Sequence, residues 1–241
     1  MRTLTFATRN RKEILRDPLT LVFGIVLPII IMCLFSIMQK NMPFELYSIE
    51  NLTPGVIVFS FSFATLFSGM LIGKDKSSSF LMRIFASPMA ATDYIAGYAL
   101  PLLPVVFLQI VICFISAFFL GLSISLNVIF ASFLLVVIAT LYIGFGLLLG
   151  TFFTDKQVGG IFAIFVNLTT WLSGTWFKLD IIGGTFKTIG YALPFAHAVD
   201  ATRFALSGEY RSIVVPLLWV VGYTVIIFLI AVWGFKRKMK G

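Results

Sequence analysis

The chain has 241 residues, of which 59% are hydrophobic and only 12% charged, with 27 Phe and a formal net charge of +8. So little charge on a chain of this length excludes an ordinary soluble domain. The excess of Lys and Arg sits on no soluble basic patch, so it argues for anionic lipid heads and not for nucleic acid.

Charges are segregated, which leaves long intervals without any. About 20 apolar residues cross a hydrocarbon core of about 30 Å, and in lipid each backbone donor must be paired within its own segment. The intervals also lack the alternation of barrel strands. An all-α membrane protein with one domain over residues 1–241 is therefore predicted.

In chain order, residues 1–18 are too charged, and lack the small-residue cleavage pattern, to be a signal peptide. Leu4, Phe6, Ala7, Ile14 and Leu15 against Arg9, Arg11, Lys12 and Arg16 fit an amphipathic helix on the cytoplasmic surface, with a plain positive anchor as the alternative. Spans are predicted at about 19–38, 52–73, 95–120, 127–153, 157–177 and 213–235. Pro28 should kink the first, because it removes a helix hydrogen bond. Pro101 and Pro104 mark a kink or break in the third. The charge-free interval 94–154 is too long for one crossing, and its polar stretch 121–127 supplies the turn between two. Residues 74–93 form a charged loop, and Asp155-Lys156 a very short one. Cys33 and Cys113 lie in mid-run, where thiols act as small hydrophobes.

Orientation follows from Lys and Arg. With six spans, one side carries 13 of them and the other carries five, namely Lys40, Lys178, Lys187, Arg203 and Arg211. Both termini are thus expected in the cytoplasm.

No phosphate-binding G-x-x-x-x-G-K-[ST] run is present, nor any metal-ligand motif or nucleophile elbow. Gly146 and Gly150 have the spacing that lets membrane helices approach closely. The spans carry no carboxylate, which weakens an ion-coupled transporter and places the energy source outside the chain.

Two segments could carry function. In the loop after span two, a serine N-cap precedes Phe80, Leu81, Ile84 and Phe85, which predicts a short helix with one apolar face, ended at Ser87-Pro88. That face could dock into the chain's own membrane domain or into a partner's groove. In residues 178–212, Pro194 opens a helix that Gly208 ends, with His197, Asp200 and Arg203 three residues apart on its polar face. They could form a gate touching substrate, an acid/base pair of a membrane enzyme acting on a lipid-linked substrate, or a solvated face paired locally. The lack of a nucleophile or metal set favours the last.

These features together resemble the ABC-2 type transporter permeases. The likeness covers nearly the whole chain: the surface helix ending in Leu15-Arg16-Asp17-Pro18, Leu27-Pro28 in the first span, Leu81, Arg83, Ile84, Phe85, Ser87 and Pro88 matching the family's E-x-G-T-L-x-x-L-L-x-S-P segment, and residues 171–177 followed by Leu193-Pro194 and Ala201-Thr202-Arg203. The family's acidic residue and Gly-Thr fall on Ser77, Ser79 and Phe80, which speaks against a specific salt bridge between this loop and the N-terminal helix, although Asp75 lies nearby.

The resemblance implies an ABC exporter's membrane subunit, pairing with a second permease, identical or paralogous. Residues 80–88 would be the coupling helix, contacting a separate cytoplasmic ABC ATPase subunit. ATP and magnesium would sit on that ATPase and none on this chain. It also implies a re-entrant external segment around His197, a multi-pass place in a bacterial-type cytoplasmic membrane, and export of a hydrophobic or amphipathic drug, lipid or peptide.

Overall fold

The computed structural model describes residues 2–41, 47–78, 80–85 and 89–239, and every regular element among them is helical. The surface helix α1 (Arg2–Leu15) ends just before Pro18, which opens α2 (Pro18–Gln39) at the first helical position, where a missing N–H costs nothing. The second apolar segment is two helices, α3 (Ile49–Ser60) and α4 (Ser62–Ser77), parted at Phe61. The short α5 (Phe80–Phe85) follows. The third segment is also divided, into α6 (Ala91–Ala99) and α7 (Leu102–Phe119), with the break at Leu100-Pro101. Gly121, at φ 109°, makes the turn into α8 (Leu126–Phe152). Then come α9 (Asp155–Leu172), the small α10 (Leu179–Ile182) and α11 (Gly184–Ala192), α12 (Pro194–Ser207), a 3-10 turn over Tyr210–Ile213, and α13 (Val214–Lys238).

Among the described residues, five helical segments, 22–39, 49–77, 91–119, 126–152 and 210–238, are long and apolar enough to cross a membrane. The span expected at 157–177 is α9, which ends at Leu172 and is diluted by Asp155, Lys156, Gln157 and Asn167. Asp155 and Lys156 are its first turn and not a loop. Thr154 caps that turn: its hydroxyl accepts from the Gln157 backbone N–H at 3.4 Å, and the Gln157 side chain accepts from the Thr154 N–H at 3.1 Å. Lys74, Asp75 and Lys76, expected in a loop, form the last turn of α4.

The α3–α4 segment is the enclosed pillar of the bundle. In its most apolar window 78% of residues are buried, against 17% in α2 and 22% in the last span. Enclosure on all sides selects small and hydroxyl-bearing residues. The Thr65 hydroxyl donates to the Tyr142 carbonyl at 2.8 Å and that of Ser68 to the Ile143 carbonyl at 3.2 Å, tying α4 to α8. A Cβ on Gly146 would overlap the Ser68 hydroxyl and the Thr65 carbonyl, and one on Gly150 would lie 2.6 Å from the Gly69 carbonyl. The Gly-x-x-x-Gly pair thus serves close packing, as its spacing predicted.

Pro28 sits inside α2, which continues through it as one helix. Lacking an N–H, Pro28 leaves the Gly24 carbonyl without its helical partner. Gln109 of α7, buried among apolar neighbours, donates to that carbonyl at 2.6 Å and to the Ser60 carbonyl at 3.1 Å, beside the Phe61 break. One amide therefore serves two backbone irregularities and joins α2, α3 and α7.

Three substitutions test this packing by thermal unfolding in detergent. Gly146→Ala should cost about 1–3 kcal/mol through overpacking, whereas Gly222→Ala, with nothing within 4 Å of the added carbon, should be neutral or stabilise by up to about 1 kcal/mol. Gln109→Leu should cost about 1–3 kcal/mol by leaving the Gly24 carbonyl unsatisfied.

Candidate functional site

The richest polar constellation lies where α1, the end of α4, α5 and α6 meet. Helix α1 turns Phe6, Ala7, Asn10 and Ile14 inward and leaves Leu4, Arg11, Lys12 and Leu15 exposed, so its amphipathic face packs against the chain itself. The ring of Phe6 lies edge-on to Tyr94 and Tyr98, with centroids at 5.7 and 4.9 Å. It reaches them because Gly97 has no side chain: a Cβ there would be 2.5 Å from Phe6. The Asn10 amide donates to the Gly97 carbonyl at 3.0 Å, and the Thr3 hydroxyl to Asp93 at 3.0 Å.

On this platform Arg9 meets Asp75. The guanidinium nitrogens donate to the two carboxylate oxygens at 2.6 and 2.7 Å, the bidentate geometry in which Arg–carboxylate pairs are strongest. The Tyr98 hydroxyl donates to Asp75 at 2.8 Å. The Asp75 side chain is 5% exposed and that of Arg9 33%. Burial works against the charge on Arg9, but hydrogen bonding and the charge of Asp75 outweigh it and raise its pKa above the ordinary guanidinium value. The ion pair that the Ser77, Ser79 and Phe80 departures spoke against is therefore present, built from Asp75, two positions before Ser77. It also puts a carboxylate inside the apolar segment 49–77, where the span expected at 52–73 carries none.

The Arg9 guanidinium carbon stands 4.3 Å from the centre of the Phe80 ring. Phe80 is half-buried and Leu81 is buried, so this part of the apolar face of α5 docks into the chain's own bundle, one of the two options left open by its sequence. Arg83 is exposed. Ile84 and Phe85 belong to the helix, but their side chains lie outside what is described, as do residues Ser79, Ser87 and Pro88 entirely. Of the other basic residues expected on the surface helix, Arg11 and Lys12 are exposed, and Arg16 makes an exposed pair with Glu13 at 3.7 Å.

At the opposite end of the bundle, α12 runs from Pro194 to a left-handed Gly208 as its sequence predicted. Its polar residues are not a solvated face. His197 is buried, its Nε2 2.9 Å from the Tyr191 carbonyl and its ring stacked 5.0 Å from Trp219. Asp200 accepts from the Tyr191 hydroxyl at 2.7 Å and from Arg203 at 3.4 Å. Arg203 also donates to the Gly174 carbonyl at 2.8 Å. Burial, then Asp200, push the Tyr191 phenol upward, so it remains a donor, whereas burial pulls Arg203 downward against Asp200. His197 and Asp200 engage different atoms of Tyr191 and not each other, which is no arrangement for an acid/base pair.

Sequence reading missed Asp75, Tyr98, Asn10, Tyr191 and Gln109 as organising residues. A lone carboxylate between two lysines at a span's end was the available signal for Asp75. Tyr98 and Tyr191 carried none, because a tyrosine in an apolar run looks like any other aromatic.

The family model described as ABC-2 type transporter matches residues 1–206. Among curated proteins, the chain is similar to three provisionally named transport permease ycf38. It is 27% identical to that of Cyanophora paradoxa over 209 residues, covering 81% of this chain and 70% of the relative. It is 25% identical to that of Pyropia yezoensis (88% and 77% covered) and 26% to that of Porphyra purpurea (86% and 75%).

Arg9→Ala should destabilise the chain by about 3 kcal/mol, because it strands a buried carboxylate. Asp75→Asn should cost less, since Arg9 retains access to water. Thermal unfolding of both variants in the same detergent measures the difference; equal losses would mean that Asp75 is solvated.

Proposed function

The chain belongs to the ABC-2 type transporter family, and from that premise we propose that it is the permease subunit of an ABC exporter, moving a hydrophobic or amphipathic substrate out of the cytoplasm. The energy comes from ATP and magnesium on a separate ABC ATPase. A second permease, identical or paralogous, completes the transmembrane assembly. As a transport permease and multi-pass membrane protein, the chain performs no enzymatic chemistry of its own.

Arg9 carries this reading. Its one side chain holds the carboxylate at the base of the most enclosed span and covers the first ring of α5. A force on α5 is thereby delivered to α4 and to the surface helix together. Closure of the ATPases would displace α5, and α4, packed at backbone distance on α8, would pass the movement along the bundle. Such a linkage converts differential binding of ATP into a shift between inward- and outward-facing states.

In this assignment α5 and the residues after it, up to Ser87-Pro88, are the ATPase-coupling segment, with Arg83 as an outward contact and Phe80 and Leu81 seating α5 on the bundle. Helix α9 is the fifth of six crossings, and the excess of 13 basic residues over five puts both termini on the cytoplasmic side of a bacterial-type membrane. The polar first turn of α9 then lies at the interface, and α10 to α12 form the external segment.

Arg83→Glu should leave the chain folded, as its side chain is exposed, yet reduce co-purification of the ATPase and ATP-dependent transport at least tenfold. A variant that keeps both would refute α5 as the coupling contact.

A further inference from the structure

The end of the bundle away from Arg9 holds a cavity of about 550 Å³, within the roughly 300–1,000 Å³ usual for small-molecule sites. It opens among the start of α3, the α7–α8 turn, the turn after α9, and α12. Its wall carries both signs of charge: Glu50 and Glu209 on the one hand, Lys178 and Arg203 on the other. Two further carboxylates in it are already neutralised, Asp180 by Lys187 at 2.5 Å and Asp200 by Arg203 at 3.4 Å. Glu50, Glu209 and Lys178 are exposed and enter no ion pair among the described residues.

Arg203 is unfinished as well. With Nη1 on Asp200 and Nη2 on the Gly174 carbonyl, its Nε is buried and has no acceptor. A buried donor left open costs free energy that an incoming oxygen would recover. A metal ion does not suit the site, since no cluster of three potential ligands occurs among the described residues.

A second hollow of about 100 Å³ shares Lys178 and Arg203 with the first and is walled by Tyr47, Trp176 and Phe177. Trp176 is held by Phe35, stacked at 5.0 Å, and by Phe59 at 5.6 Å. The charged chamber therefore adjoins an aromatic one, with Asn51 and the two cations in the wall common to both.

We propose that this double cavity binds a zwitterionic amphiphile. Its ammonium faces Glu50 and Glu209, its anionic oxygen takes Lys178 and, after a shift of the Arg203 side chain that uncovers it, the open Nε of Arg203, and the first part of its apolar tail lies along Tyr47, Trp176 and Phe177. A purely cationic amphiphile leaves Lys178 facing like charge, and a purely anionic one does the same to the glutamates. The inference deepens the exporter reading by naming a substrate class, and rests on that reading only in treating the bound amphiphile as cargo.

The test is saturable binding of labelled lauroyl lysophosphatidylethanolamine to the purified full chain in maltoside micelles, with dodecylamine or laurate as competitors. The zwitterion should bind at least tenfold more tightly than either singly charged amphiphile. Glu50→Gln and Lys178→Gln, both exposed and thus compatible with folding, should each weaken binding at least tenfold, and Arg211→Gln, outside the cavity wall, should leave it unchanged. Absence of saturable binding, equal competition by either amphiphile, or indifference to both cavity substitutions overturns the proposal. No ATPase is present in this measurement, so its failure leaves the coupling reading standing, and loss of coupling in Arg83→Glu leaves this site standing.

Discussion

The approach of α4 to α8 at glycine distance is the constraint on which the rest of the molecule depends. In a lipid-solvated bundle there is little hydrophobic gain from pressing one apolar helix on another, so association relies on contact density and interhelical hydrogen bonds. Gly146 and Gly150 let the backbones come close enough for Thr65 and Ser68 to reach carbonyls of the neighbouring helix. With the pillar fixed in this way, its last turn has a defined place, and Asp75 can be enclosed at a cost that Arg9 and Tyr98 offset.

Backbone satisfaction organises the irregular points of the fold as well. Several breaks and ends within the bundle have a donor delivered from a different helix. Gln109 serves the carbonyl released by Pro28. Lys76 of α4 donates to the Phe153 carbonyl at 2.7 Å and Lys238 of α13 to the Thr151 carbonyl at 2.5 Å, so two ammonium groups crown the C-terminus of α8, where the helix dipole favours positive charge. The same bonds that complete the valences of one helix thus fix the position of two others.

The two ends of the bundle are built for different work. At the α1 end the polar groups are consumed by one another: a bidentate ion pair, a phenol, an amide on a carbonyl. Such closure favours rigid transmission. At the far end, charges of both signs line an open volume and one guanidinium nitrogen has no acceptor. Transport requires this division, because a force must arrive through parts that do not yield and act on a site that accepts a ligand and lets it go.

Membrane class, helical content, the turn at Gly121, the α12 caps and the close-packing glycines were determined by the sequence itself, because each depends on local chemistry: run length, proline and glycine dihedrals, side-chain volume. The short helix at Phe80 was equally legible from apolar spacing. Which way its face turned was decided only by tertiary structure, since the same stripe serves a groove in a partner or in the chain itself. The Arg9–Asp75 pair spans 66 positions, and nothing in either neighbourhood announces the other. The division of span two at Phe61, and the enclosure of His197, Asp200 and Arg203, have the same origin, whereas the break in span three was already marked by Pro101. Polar residues that look solvated along a helix become enclosed when Tyr191, Trp219 and Gly174, from other elements, close over them.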